Sequence, residues 1–119
     1  MTFVIADNDR KRLQDTAELL SAVFPGSVLY LFRDPMLSAK CVMEHQVDAV
    51  FAEAQMHRVD GIGLLHALRV NWTELPVFIL SDHDGYRKAA MEENATLYLT
   101  RPVTGERLKQ AVLEARRGH

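Results

Sequence analysis

The sequence predicts an α/β fold in which five β-α units build one doubly wound, parallel, five-stranded sheet of order 2-1-3-4-5, covered by helices on both faces. Three observations carry this. Short apolar runs alternate along the whole chain with segments whose apolar residues recur at three- and four-residue spacing. The connections between them are short, and strands joined through single helices pair in parallel with right-handed crossovers. Polar residues stand at the strand ends, where open α/β sheets gather a ligand crevice.

Residues 2–6 form the first strand, followed by Asp7-Asn8-Asp9, with Asp9 capping a helix that runs to about Phe24. Leu13, Ala17, Leu20 and Phe24 give that helix its buried face. Pro25-Gly26 stops it, residues 27–32 make the second strand, and Asp34-Pro35 places an N-cap and a first-turn proline before a helix reaching about His45. Residues 48–53 are the central strand. A helix with Leu64, Leu65 and Leu68 on its inner stripe follows Asp60-Gly61, read as turn chemistry, and ends near Asn71, with Trp72 over its end. Residues 77–80, apolar throughout, predict a strand covered on both faces and finishing at Ser81-Asp82. A polar helix over about 86–94, a strand over 96–100, Arg101-Pro102, and a last helix capped by Thr104 with Leu108, Ala111, Val112 and Ala115 inward complete the pattern.

At 119 residues, 48% hydrophobic and 25% charged, the chain has the apolar mass of one domain, 1–119. A net charge of −2, with no basic stretch beyond Arg116-Arg117 that suggests a nucleic-acid footprint, argues against direct nucleic-acid binding. No run approaches the ~20 apolar residues of a membrane span, so a cytoplasmic location with no membrane partner is expected. Cys41, the single cysteine, falls mid-helix and reads as a buried structural thiol.

The chemistry is expected at the carboxyl ends of the strands. Strand order 2-1-3-4-5 puts the first and third strands at the switch point, so one pocket should gather Asp7, Asn8, Glu53, Ser81 and Arg101. The bland alternatives are a strand-end and capping role for the acidic cluster, a turn-forming Ser81, and a strand tyrosine at Tyr98.

With these pieces in place, the chain resembles the receiver domain of two-component response regulators over nearly its whole length. The resemblance rests on residues 3–9, on 48–65, on 75–82, where a strand ends in a hydroxyl residue, and on 95–103, where a strand ends in a basic residue before proline. It implies a flavodoxin-like receiver fold and a phosphorelay role in signal transduction: a phosphoryl group is accepted from a histidine kinase at the end of the third strand, with a magnesium ion at the acidic cluster. It also implies a switch-like part for Tyr98, a frequently cis Arg101-Pro102 step, and a partner face over residues 84–117.

Four positions depart from the family pattern: Glu53 stands at the phosphoacceptor position, Asn8 at the second acidic position, Arg101 in place of lysine, and His57 where proline is usual. Glutamate carries its carboxylate one methylene further out, a misplacement that can cost ~10²-fold in rate. Its charge also reaches into the space of an added phosphoryl group, whose own charge would be ~1.5 to 2. The arginine fork suits a carboxylate, so a direct Glu53–Arg101 ion pair is expected. Magnesium needs near-octahedral oxygens. No cofactor is therefore expected, and any magnesium would be held weakly through Asp7, Asn8, Glu53 and Gln55. His57 reads as a loop histidine.

The expected function is a pseudo-receiver: a non-enzymatic, phosphorylation-independent signalling module that binds a protein partner, a second copy of itself or a histidine kinase. Exposed Arg87, Lys88, Glu92, Glu93, Arg107, Lys109 and Arg116 would decorate the 84–117 face, with a solvated helix surface as the bland reading. The chain is expected to carry no effector domain, as a single-domain regulator or the front of a longer protein. Two alternatives stay open, a phosphorylatable magnesium-dependent receiver and a flavodoxin-like small-molecule binder. Against the second, the acidic turn Asp7-Asn8-Asp9 has no glycine to cradle a phosphate.

Overall fold

The five apolar runs form strands β1 (Thr2–Ala6), β2 (Val28–Phe32), β3 (Ala49–Glu53), β4 (Val77–Ser81) and β5 (Leu97–Thr100). They alternate with helices α1 (Arg10–Val23), α2 (Pro35–Glu44), α3 (Gly61–Arg69), α4 (Arg87–Glu92) and α5 (Gly105–Arg117) in a computed structural model that describes residues 1–56 and 59–117. All four neighbouring strand pairs are parallel, in the order β2-β1-β3-β4-β5. The predicted α/β doubly wound architecture is therefore the observed one. His57 lies outside the described residues. Among the described residues no helix is long and apolar enough to cross a membrane.

Strand alternation divides the core in two. Phe3, Ile5, Ala49, Phe51, Phe78, Leu80 and Leu99 face α1 and α5, which supply Leu13, Ala17, Leu20, Leu108, Ala111 and Val112. Val4, Ala6, Val50, Ala52, Val77, Ile79 and Tyr98 face the other side, against Cys41 and Val42 of α2, Leu64, Leu65 and Leu68 of α3, and Ala90 of α4. Trp72 packs partly buried against this second cluster, and Cys41 is free and buried. On the first face Phe3, Phe51 and Phe78 form a row across three strands, with ring centroids 5.9 Å and then 5.0 Å apart. Each fully buried ring contributes about 1.5–3 kcal/mol.

Asp9, Asp34 and Asp60 cap α1, α2 and α3, each accepting from a backbone N–H of the first turn. Thr104 does the same for α5 through Arg107 N–H. The segment read as one helix over 86–94 starts and ends two residues earlier and is composite, a 3₁₀ turn at Asp84–Tyr86 followed by α4. His83 explains the early start: its ring nitrogen Nδ1 accepts from Gly85 N–H and begins the turn before Tyr86. The Arg101–Pro102 peptide is cis.

Asp60-Gly61 is more than turn chemistry. Gly61 lies so close to the end of β3 that an added Cβ would overlap the Glu53 carbonyl oxygen and stand 2.8 Å from its carbon. Its N–H donates to Ala54 O at 3.1 Å, so the absence of a side chain lets the start of α3 close against the strand that carries Glu53. Since the obstructing atoms are backbone, Gly61→Ala is expected to lower stability by about 1–3 kcal/mol or more. Urea unfolding followed by circular dichroism measures this, and an unchanged midpoint would contradict the close approach.

Candidate functional site

Strand register brings the predicted residues together. β1 and β3 pair from Phe3–Ala49 to Ala6–Ala52, and one step further Asp7 stands beside Glu53. Both continue the alternation of the α1/α5 face, as 3-5-7 and 49-51-53, and Arg101 continues it on β5, as 97-99-101. Arg101 N–H donates to Ser81 O at 2.7 Å, which extends the β4–β5 ladder and fixes the arginine over the strand ends. Ser81 belongs to the opposite alternation, 77-79-81, with Val77 and Ile79. The charged residues thus gather on one side of the sheet edge and the hydroxyl on the other.

Asp7 and Glu53 are 2% and 5% exposed, so each needs a local counter-charge. Arg101 Nη2 lies 2.6 Å from Glu53 Oε2, the ion pair expected from the sequence. It is not a bidentate fork. Among the described residues no N–H is aligned on Oε2, because the same guanidinium also reaches Asp7 Oδ2 at 3.5 Å and Asp82 Oδ1 at 3.3 Å. The bidentate pair forms elsewhere. Arg12 donates from Nε to Asp7 Oδ2 at 3.1 Å and from Nη2 to Asp7 Oδ1 at 3.0 Å, touches Asn8 Oδ1 at 3.5 Å, and lies 3.9 Å from Glu53 Oε2.

Arg12 is the residue that the sequence reading missed. Its signal is the run Arg10-Lys11-Arg12, a basic stretch that the reading of Arg116-Arg117 as the one basic end passed over: three cations in the first turn of a helix, where the macrodipole disfavours them. A nearby carboxylate must hold at least one. Asp7 does so, and it pulls the Arg12 guanidinium above its ordinary pKa.

The remaining predicted residues sit around this cluster. Asn8, Glu53 and Ser81 line a cleft of about 300 Å³ together with Arg12, Gln55, Met56, Asp82 and His83. Ser81 Oγ accepts from His83 N–H at 3.3 Å, a local turn bond. Tyr98 is 4% exposed; its hydroxyl donates to His83 O at 2.6 Å, and Arg87 lies 4.9 Å over its ring. Gln55 is exposed at the cleft mouth.

As arranged, these donors do not fit a magnesium ion. Asp7 Oδ1 accepts from both Arg12 and Asp9 N–H, and Oδ2 meets Arg12 and Arg101, which fills the ~4 acceptor positions of a carboxylate. Asn8 and Gln55 are neutral, and Glu53 is paired. Among the described residues no group of three or more His, Cys, Asp or Glu is placed to hold a metal ion.

Burial pushes the Glu53 carboxyl above its ordinary value of 4.5, outweighing the pull of Arg101, and neighbouring Asp7 pushes the same way. A carboxyl with a raised folded-state pKa binds its proton more tightly in the folded state. Its contribution to stability therefore falls as pH rises from its unfolded value through the folded one. ¹³C NMR of the side-chain carboxyls should show Glu53 titrating above 4.5, and higher still in Arg101→Ala. A midpoint at or below the ordinary value would show that pairing outweighs burial.

Residues 3–113 match the family described as the response regulator receiver domain. An uncharacterized response regulatory protein of Vibrio cholerae serotype O1 is 30% identical over 119 residues, covering 100% of this chain and 50% of that protein. One from Vibrio parahaemolyticus is 32% identical over 112 residues, covering 94% and 46%. The chain thus spans about half the length of the curated relatives it matches. Among solved structures, a response regulator receiver domain protein from Clostridium thermocellum superposes with a TM-score of 0.86 at 24% identity, covering 98% of this chain and 94% of that one. The receiver domain of a Pseudomonas aeruginosa sensor histidine kinase, with a magnesium ion coordinated in its active site cleft, gives 0.85 at 15% identity, covering 95% and 94%. Two strand-end carboxylates on a sheet of order 2-1-3-4-5, together with these matches, lead to one conclusion: the chain belongs to the response regulator receiver domain family, the signalling module of two-component systems.

Proposed function

We propose that this receiver domain is an atypical one, working as a phosphorylation-independent protein-interaction module. The observation that carries the reading is the buried Glu53 carboxylate against Arg101, 2.6 Å away. A fixed negative charge occupies the end of β3, already matched to the arginine that an added phosphoryl group would need. Acyl-phosphate formation at Glu53 would replace its single charge with a phosphoryl group carrying ~1.5 to 2 beside Asp7, while breaking that pair. The glutamate thus stands in, with one charge, for part of what phosphorylation would bring.

On this reading the domain signals by binding. The partner face is 84–117, where a shallow groove of about 440 Å³ runs between Arg87 and Arg107 over Tyr98, Thr100 and Thr104. Asp84, Thr100 and Arg87 are joined by side-chain hydrogen bonds on this face, and Arg87 also packs on Tyr98. A protein partner, a second copy or a histidine kinase would meet that surface, in the cytoplasm. An amide NMR titration with magnesium, then magnesium plus beryllium fluoride, tests the reading. The spectrum is expected to stay silent around Asp7, Glu53, Ser81 and Arg101, and intact mass after incubation with acetyl phosphate should show no phosphoryl adduct. A covalent adduct, or large shifts at those four residues, would mean a phosphorylatable receiver.

A further inference from the structure

We propose that Arg12 is a tethered cation that holds the place of a divalent metal ion in this site, and that it governs the metal response separately from Glu53. Asp7, Asn8 and Glu53 stand at the ends of β1 and β3, and this one guanidinium reaches all of them, at 3.0, 3.5 and 3.9 Å. Its grip on Asp7 is a two-bond fork, the strongest geometry available to an arginine and a carboxylate. With Arg101 on the far side, where it also reaches the exposed Asp82, the two buried carboxylates face two guanidiniums among the described residues.

The backbone fixes the tether. Arg12 N–H donates to the capping Asp9 Oδ1 at 2.9 Å, and Thr16 Oγ1 donates to Arg12 O at 3.0 Å, so the first turn of α1 is held from both ends. The side chain reaches Asp7 from a position that the helix dipole disfavours for a cation, so the stabilisation of Arg12 there comes from the carboxylate. The Arg12 side chain is 31% exposed and borders the open cleft. It can leave toward solvent, and a divalent ion must therefore compete with it for Asp7. The site resists metal by competition, and shortening Glu53 alone does not remove the competitor.

This inference uses the receiver reading only to choose magnesium as the probe, and does not depend on whether Glu53 accepts a phosphoryl group. Magnesium affinity would be measured by amide NMR titration of the wild-type chain and of Arg12→Ala, Glu53→Asp and Arg10→Ala. Arg12→Ala is expected to bind at least ~10-fold more tightly than wild type, about 1.4 kcal/mol. Glu53→Asp alone should gain less than ~3-fold, because the fork on Asp7 survives. Arg10, the exposed neighbour, controls for net charge: its removal should change affinity less than ~3-fold, since exposed charges are screened. An Arg12→Ala affinity equal to wild type, or an equal gain in Arg10→Ala, overturns the tether. Should Arg12→Ala lose its folded spectrum, Arg12→Lys keeps the charge and removes the fork; it should bind magnesium more tightly than wild type, and no gain overturns the proposal. A phosphoryl adduct on the wild type would sink the interaction-module reading while leaving the affinity ratio untouched, so the two ideas fail separately.

Discussion

Two carboxylates buried side by side are the constraint on which the site depends. Parallel pairing of β1 with β3 sets Asp7 next to Glu53 on the same face, where water screens neither fully. Left alone, each would cost several kcal/mol or take up a proton. Arg12 arrives from α1 and Arg101 from the end of β5, and the geometry of both is explained by that demand. The match is incomplete: Asp7 is fully bonded, whereas Glu53 Oε2 has charge contact without an aligned donor, and its carboxyl stays above its ordinary pKa.

The asymmetry matters for signalling. A receiver works as a two-state element only if some interaction differs between its states. Here the strand-end carboxylates are held by Arg12 and Arg101, and the segment after β4 by the Tyr98 hydroxyl on the His83 carbonyl and by Arg87 over the tyrosine ring. The loop between them is short, from Ser81 to His83, and Ser81 itself bonds within it. Arg101 also reaches the exposed Asp82 in this loop at 3.3 Å, so the loop is tied to both ends of β5.

Much of the architecture was legible because each level of the sequence pointed the same way. Apolar runs of five, aspartates at three helix starts and leucines at helical spacing are local signals, and they placed strands and helices within a residue or two. The convergence of Asp7, Asn8, Glu53, Ser81 and Arg101 was legible too, since strand order and the carboxyl-end rule require only topology. Other features were not. Gly61 read as a turn residue because its real constraint, the Glu53 carbonyl, is eight positions away and visible only once β3 and α3 close together. The start of the fourth helix shifted because a histidine side chain, an unusual cap, nucleates a 3₁₀ turn.

The sequence by itself determined the family, the parallel sheet, and the identity of the charged residues at its edge, for these follow from periodicity, capping and the order of motifs. Tertiary structure decided how those charges pair. The arginine fork expected on Glu53 belongs instead to Asp7, and the arginine that makes it is Arg12, from a helix turn. Pairing of this kind depends on distances of an ångström or so between side chains from different elements, and Coulomb energy in a buried site changes steeply over that range. Spacing along a chain carries no such distance, so the partners became known only when the strands and the helix were brought together.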